Sequence, residues 1–107
     1  MKNNEAITQE MIDDWKKQFG ELSKTTIGDQ VYIWHGLSRN DYKNVMTAEY
    51  EDDNSKVFNR QDDIVCNCVI YPENIEEIIE KKGGVATTLA DEILEDAGFG
   101  ATKTEKL

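Results

Sequence analysis

His35 is the single histidine of the chain, and Ser38 and Asp41 follow it closely. A serine, a histidine and an aspartate could supply a nucleophile, a base and an orienting carboxylate. Ser38 and Asp41 have a second explanation, however. A serine hydroxyl at the start of a helix accepts from a backbone N–H about three residues on. An aspartate in place of the usual glutamate or glutamine then makes a variant capping box. The cap accounts for both residues without chemistry and leaves His35 at a strand end, as a structural or interfacial side chain. Cys66 and Cys68 are the only thiols. On a helix, residues two apart are turned about 200° from each other, so an internal disulfide is not expected. Both are expected to be buried and to behave as small apolar residues. Zinc would need further ligands, and the one histidine lies far along the chain.

The carboxylates fall in clusters at 51–53, 62–63, 73–80 and 91–96. Paired acids can hydrolyse glycosides, but only beside a groove with substrate-binding aromatics, for which a chain of 107 residues leaves little room. Asp52, Asp53, Asn54 and Ser55 lack the alternating ligands, central glycine and closing glutamate of a calcium loop. No phosphate loop, dinucleotide fingerprint or metalloprotease motif occurs. No catalytic residue, metal or cofactor is therefore expected.

Charge narrows the partners. With 22 acidic and 12 basic residues the formal charge is −10. Phosphate backbones and anionic membrane surfaces are bound by lysine and arginine, so neither nucleic acid nor membrane is expected. No apolar run approaches the roughly 18–20 residues needed to span a bilayer. The first residues, MKNNEAITQE, have no apolar stretch of signal-peptide length, which points to a cytoplasm. At 107 residues a single domain, 1–107, is expected, with flexible ends at 1–6 and 101–107.

The elements that must position these residues read as an α+β fold, mainly helical, with one β-hairpin. Ile7, Met11, Trp15, Phe19 and Leu22 recur at helical spacing, with Thr8 as the cap and Gly20 as the stop. The hairpin spans about 23–35 and turns at Gly28-Asp29. Its second strand puts Tyr32 and Trp34 on one face and Val31, Ile33 and His35 on the other. A helix opened by Ser38 carries Tyr42, Val45 and Met46 on one side, with Tyr50 in line beyond them. Another keeps Val57, Phe58, Gln61, Ile64, Val65, Cys68 and Val69 in helical register up to Pro72. A short acidic helix with Ile75, Ile78 and Ile79 ends at Lys81-Lys82-Gly83-Gly84. The last helix is read as capped by Thr88 and Asp91 and stopped by Gly98. The expected core draws on Trp15, Phe19, Val45, Ile64, Val65, Leu89, Ile93 and Leu94. A hairpin with large side chains on both faces should bury one and offer the other, so Tyr32, Trp34 and His35 are candidate partner-binding residues. Asp52 and Asp53, in the acidic stretch between helices, are a second candidate surface.

Three stretches in order resemble small tail-assembly chaperone and baseplate-type proteins of tailed bacteriophages. Leu37-Ser38-Arg39-Asn40-Asp41-Tyr42-Lys43 looks like their Leu-Thr-x-x-Glu-Tyr-Lys helix start, with Ser38 and Asp41 in place of Thr and Glu. Residues 64–72, IVCNCVIYP, are similar to their Cys-Val-Leu-Tyr-Pro-like run. Residues 84–94, GVATTLADEIL, with Gly98-Phe99, complete the set, and residues 7–20 fit the pattern ITxExIxxWKxxxG. His35-Gly36 departs from the basic residue and proline such proteins carry there. The resemblance implies no enzymatic activity. It implies binding to phage tail proteins (tape measure, hub or baseplate subunits), in the host cytoplasm during infection or retained in the virion tail. The acidic surface supports an alternative: a small phage inhibitor that occupies a basic surface of a host or defence protein.

Overall fold

The computed structural model describes residues 7–50, 55–100 and 102–107. Its elements are α1 (Gln9–Phe19), β1 (Leu22–Ile27), β2 (Gln30–His35), α2 (Arg39–Thr47), α3 (Lys56–Cys68), β3 (Val69–Tyr71), α4 (Ile75–Lys81) and α5 (Val85–Asp96). The strands form one antiparallel sheet in the order β1-β2-β3. The fold is thus α+β and mainly helical with a hairpin, as the sequence predicts, plus a third strand it does not.

Turn and cap chemistry explains most boundaries. Gly28 has φ of 61° and Asp29 does not share the left-handed conformation, the pattern of a type II′ hairpin turn with glycine first. Thr8 Oγ1 accepts from Met11 N at 3.2 Å, and Ser38 Oγ accepts from Asp41 N at 3.1 Å, so both expected caps form. Glu10 in the first turn of α1 and Lys16 and Lys17 in its last complement the helix dipole.

Two boundaries depart from the sequence reading. The helix expected to run to Pro72 ends at Cys68, and Val69–Tyr71 becomes β3. This β-branched and aromatic run pairs with β2 across a bulge, Tyr71 opposite Ile33 and Val69 opposite Trp34. The last helix starts at Val85 with Gly84 at its N-cap, so Thr88 and Asp91 lie inside it and form no capping box.

The sheet is covered unequally. Tyr32 and Trp34 join Val69 in the main core, with Leu37, Val45, Ile64, Val65, Cys68, Leu89, Ala90 and Ile93. Trp34 Nε1 donates to Thr25 Oγ1 at 3.0 Å, so the buried indole keeps its hydrogen bond. Thr87 Oγ1 donates to Gln61 Oε1 at 2.8 Å and ties α5 to α3. Arg60 Nη2 donates to the Met46 carbonyl at 3.2 Å and the Tyr50 hydroxyl donates to Asp63, which fasten the end of α2 and the following chain to α3. The other sheet face carries Ile33, Tyr71 and His35. There α1 lies across it, with the Trp15 ring 6.1 Å from that of Tyr71.

The expected core is corrected at its N-terminal end. Val45, Ile64, Val65, Leu89 and Ile93 are buried and Leu94 packs against them, but α1 contributes no buried residue. Trp15 is half-buried and Phe19 is 44% exposed. Leu89→Ala or Ile93→Ala should cost about 2–5 kcal/mol in urea unfolding, because each leaves a cavity. Phe58→Ala, at a position 63% exposed, should stay within about 0.5 kcal/mol of the parent. Equal losses at 58 and 89 would contradict this core.

Candidate functional site

The chain leaves β2 through Gly36 and Leu37 and turns into α2 at its Ser38 cap. Leu37 is buried, and an open cleft lies on each side of it. The larger, about 810 Å³, is lined by Lys16, Phe19, Leu22, Leu37, Ser38 and Asp96 among others. The smaller, about 190 Å³, is lined by Leu37, Ser38, Arg39, Tyr42, Gly98 and Phe99 among others.

Each cleft has an aromatic wall. In the larger, the Phe19 ring stacks on His35 at 4.9 Å with 7° between the planes. His35 Nδ1 sits 2.9 Å from the Gly36 carbonyl oxygen, which accepts when Nδ1 carries the proton. In the smaller, Phe99 lies against Tyr42, centroids 4.8 Å apart, and the Arg39 guanidinium sits 5.8 Å from the Tyr42 ring. Phe99 is still 51% exposed.

Local backbone chemistry sets both walls. Phe19 ends α1, where Gly20, at φ of 82°, donates to the Lys16 carbonyl and turns the chain toward β1. Phe99 follows Gly98, at φ of 108°. Its N–H donates to the Leu94 carbonyl at 2.9 Å and that of Gly98 to Glu95 at 3.1 Å, the paired bonds of a Schellman motif. The motif fixes Phe99 over the end of α5 and beside Tyr42. Gly36 brings the loop close to α5, since a Cβ there would meet Asp96 Oδ2 at 3.3 Å.

The sequence-derived site residues fare differently. Tyr32 and Trp34 are corrected: at 1% and 4% exposure they belong to the core, because the helices cover the sheet face they share. His35 lies on the other face, half-buried, in the Phe19 stack. Asp52 and Asp53 lie outside the described residues. The sequence reading assigned Phe19 to the core, Tyr42 to a helix face and Phe99 to the last resembling stretch, and made none of the three a binding residue. The signals that single them out are the helix-ending glycines Gly20 and Gly98 beside the two phenylalanines. What such walls can do is take up apolar side chains, while Lys16, Glu21, Arg39 and Asp96 offer polar contacts at their rims.

The thiols are split. Cys68 is buried as expected, and Cys66 is exposed, a correction that follows from its position on the opposite side of α3. Partial shielding from water, with the charges of Glu76, Asp62 and Asp63 nearby, pushes the Cys66 thiol up to about 11. Burial, with Asp41 adding to it, pushes Cys68 up to about 12. Among the described residues no group of three or more His, Cys, Asp or Glu could hold a metal ion, and no helix is long and apolar enough to cross a membrane.

Two outcomes follow from these features. Gly98→Ala should cost about 1–2 kcal/mol, the penalty for placing a Cβ in the left-handed region, and should loosen the Phe99 amide in hydrogen exchange. The thiols ionise in the unfolded chain before they do so in the folded one. They therefore leave stability unchanged well below pH 9 and remove it as pH rises from about 9 toward 11–12. Urea midpoints that rise across that alkaline range would contradict the assigned surroundings of Cys66 and Cys68.

No family model matches this chain, and no curated protein matches it. It is similar to the solved structure of an uncharacterised protein, rbstp2171, from Bacillus stearothermophilus, with a TM-score of 0.71 and 18% sequence identity. The similarity covers 89% of this chain and 99% of that one. At that identity the likeness shows a shared fold.

Proposed function

We propose that this chain is a non-enzymatic assembly protein of tailed bacteriophages that acts by binding other tail or baseplate proteins, with the clefts beside Leu37 as its contact surface. The observation that carries the proposal is where the resembling stretches come together. Leu37, Ser38, Arg39 and Tyr42 of the first stretch and Gly98 and Phe99 of the last line the same cleft. Exposed aromatic rings held by fixed backbone geometry also suit protein contacts, since they bury large area with little loss of side-chain freedom. Phe19 and Phe99 are open to water at adjoining clefts, and neighbouring exposed rings mark a contact surface more than scattered ones do. The inhibitor reading draws on the exposed carboxylates of α5, which suit a basic surface.

Co-expression separates the two. The tagged chain should co-purify with a tail or baseplate protein encoded beside it and elute with it as a defined complex in size exclusion. Mass spectrometry of purified virions then distinguishes a retained component, present in them, from a departing chaperone, absent from them. Recovery of host or defence proteins alone, with no product of neighbouring genes, would replace the assembly reading with inhibition.

A further inference from the structure

Of the two edges of the sheet, that of β1 is the longer and the more open. β3 is short, and its pairing with β2 is bulged. β1 runs from Leu22 to Ile27 with no proline and pairs with β2 in unbroken register, its other side unpaired. In a two-residue hairpin the residues flanking the turn, here Ile27 and Gln30, exchange both backbone bonds, and bonded pairs then alternate along the ladder. Ser23 and Thr25 therefore bond across to Trp34 and Tyr32, while Leu22, Lys24 and Thr26 turn their N–H and C=O groups outward. Among the described residues no backbone group outside the sheet bonds them, and Lys24 and Thr26 are exposed.

What flanks this edge differs between the two sides of the sheet. Ser23 and Thr25 share the face of Tyr32 and Trp34, and Thr25 accepts the Trp34 hydrogen bond there. Beside them Glu92, Glu95 and Asp96 of α5 line a depression with Trp34. Lys24 borders it too, and Lys16 lines the larger cleft with Asp96, yet among the described residues neither lysine pairs with an α5 carboxylate. One lysine against three carboxylates leaves that side of the edge negative. At the start of β1, Leu22 and Phe19 both line the larger cleft, so the edge runs into the surface proposed above. A second copy of this chain is a poor occupant. Each copy carries a formal charge of −10, and pairing β1 with itself would bring two such carboxylate groups to one edge.

We infer that β1 receives an extended segment of a partner protein as an antiparallel fourth strand of the sheet, with lysine or arginine at alternate positions over Glu92, Glu95 and Asp96 and an apolar side chain beside Leu22 and Phe19. The outward N–H and C=O groups of Leu22, Lys24 and Thr26 supply the affinity, and the flanking side chains set which segment fits. The inference rests on the protein-binding reading above and names how the partner is held.

A synthetic peptide of alternating lysine and valine tests it directly, beside one with the same residues at helical spacing and one with glutamate for lysine. The alternating lysine peptide should bind and slow amide exchange at Lys24 and Thr26 by NMR, while Ser23 and Thr25, already bonded to β2, change little. An antiparallel strand seated this way turns its valine amides toward β1 and its lysine amides away. N-methylation of the valines should therefore weaken binding about tenfold or more, and N-methylation of the lysines should not. Lys24→Pro removes an outward donor without breaking a bond to β2, so the protein should keep its β2 and β3 signals and lose the peptide. It should do so even though the change makes the edge more negative. Neutralising the flank (Glu92→Gln, Glu95→Gln, Asp96→Asn) should weaken binding about tenfold. Binding that survives valine methylation is mere charge attraction and overturns the inference, whether or not the proline variant folds. Preference for the helically spaced peptide, equal binding of the glutamate peptide, slowed exchange centred on Val57 and Phe58, or no binding at all would do so too. Co-purified tail proteins that leave Lys24 and Thr26 exchange unchanged would sink this inference alone. Strand addition with only host proteins recovered would sink the assembly reading and leave the inference standing.

Discussion

A two-stranded hairpin is marginal in water, so the fold depends on what covers the Tyr32 and Trp34 face of β2. The helical layer does so, with Ile64, Val65, Leu89 and Ile93 in the same cluster. That one interface sets the rest. It orients the sheet so that His35 faces away from the core, and it fixes where β2 ends and the loop at Gly36 begins. It also draws Val69–Tyr71 into the sheet, because Val69 must pair with Trp34 on the covered face. The indole hydrogen bond to Thr25 lets a large polar-tipped side chain sit in that interior without an unsatisfied donor.

The opposite face is held more lightly. α1 brings Trp15 and Phe19 to it without burying any of its own residues. A helix so placed contributes less to stability than α3 or α5 and keeps its apolar side chains partly in water. The same economy appears at the other end of the chain, where a Schellman motif rather than core packing places Phe99. Both aromatic walls therefore stand on backbone geometry at helix ends and lie at the rim of the molecule.

Local features were legible in the sequence. Thr8 and Ser38 cap their helices, Gly28-Asp29 turns the hairpin, and Gly98 ends α5, because each acts within a few residues. Whether residues 64–71 stay helical was not legible. A short apolar run cannot be told from a buried strand by its spacing, and only the partner strand β2 decides it. The start of α5 was missed because Thr88 and Asp91 mimic a cap signal that the upstream Val85-Ala86 turn overrides. Alternation in β2 defined two faces correctly but not which one the helices take, so Tyr32 and Trp34 read as a surface. The clefts could not be read at all. They join residues of α1, the β2–α2 loop and the end of α5, far apart in sequence and brought together only by the fold.

In the proposed assembly role, partners meet this chain beside Leu37 rather than elsewhere. Photo-crosslinking tests it most directly, with a benzophenone amino acid placed singly at 19, 99 or 58 in the chain co-expressed with its genomic neighbours. Positions 19 and 99 should capture the same polypeptide, and position 58, exposed on the first turns of α3, should not. Capture from 58 with none from 19 or 99 would contradict the account.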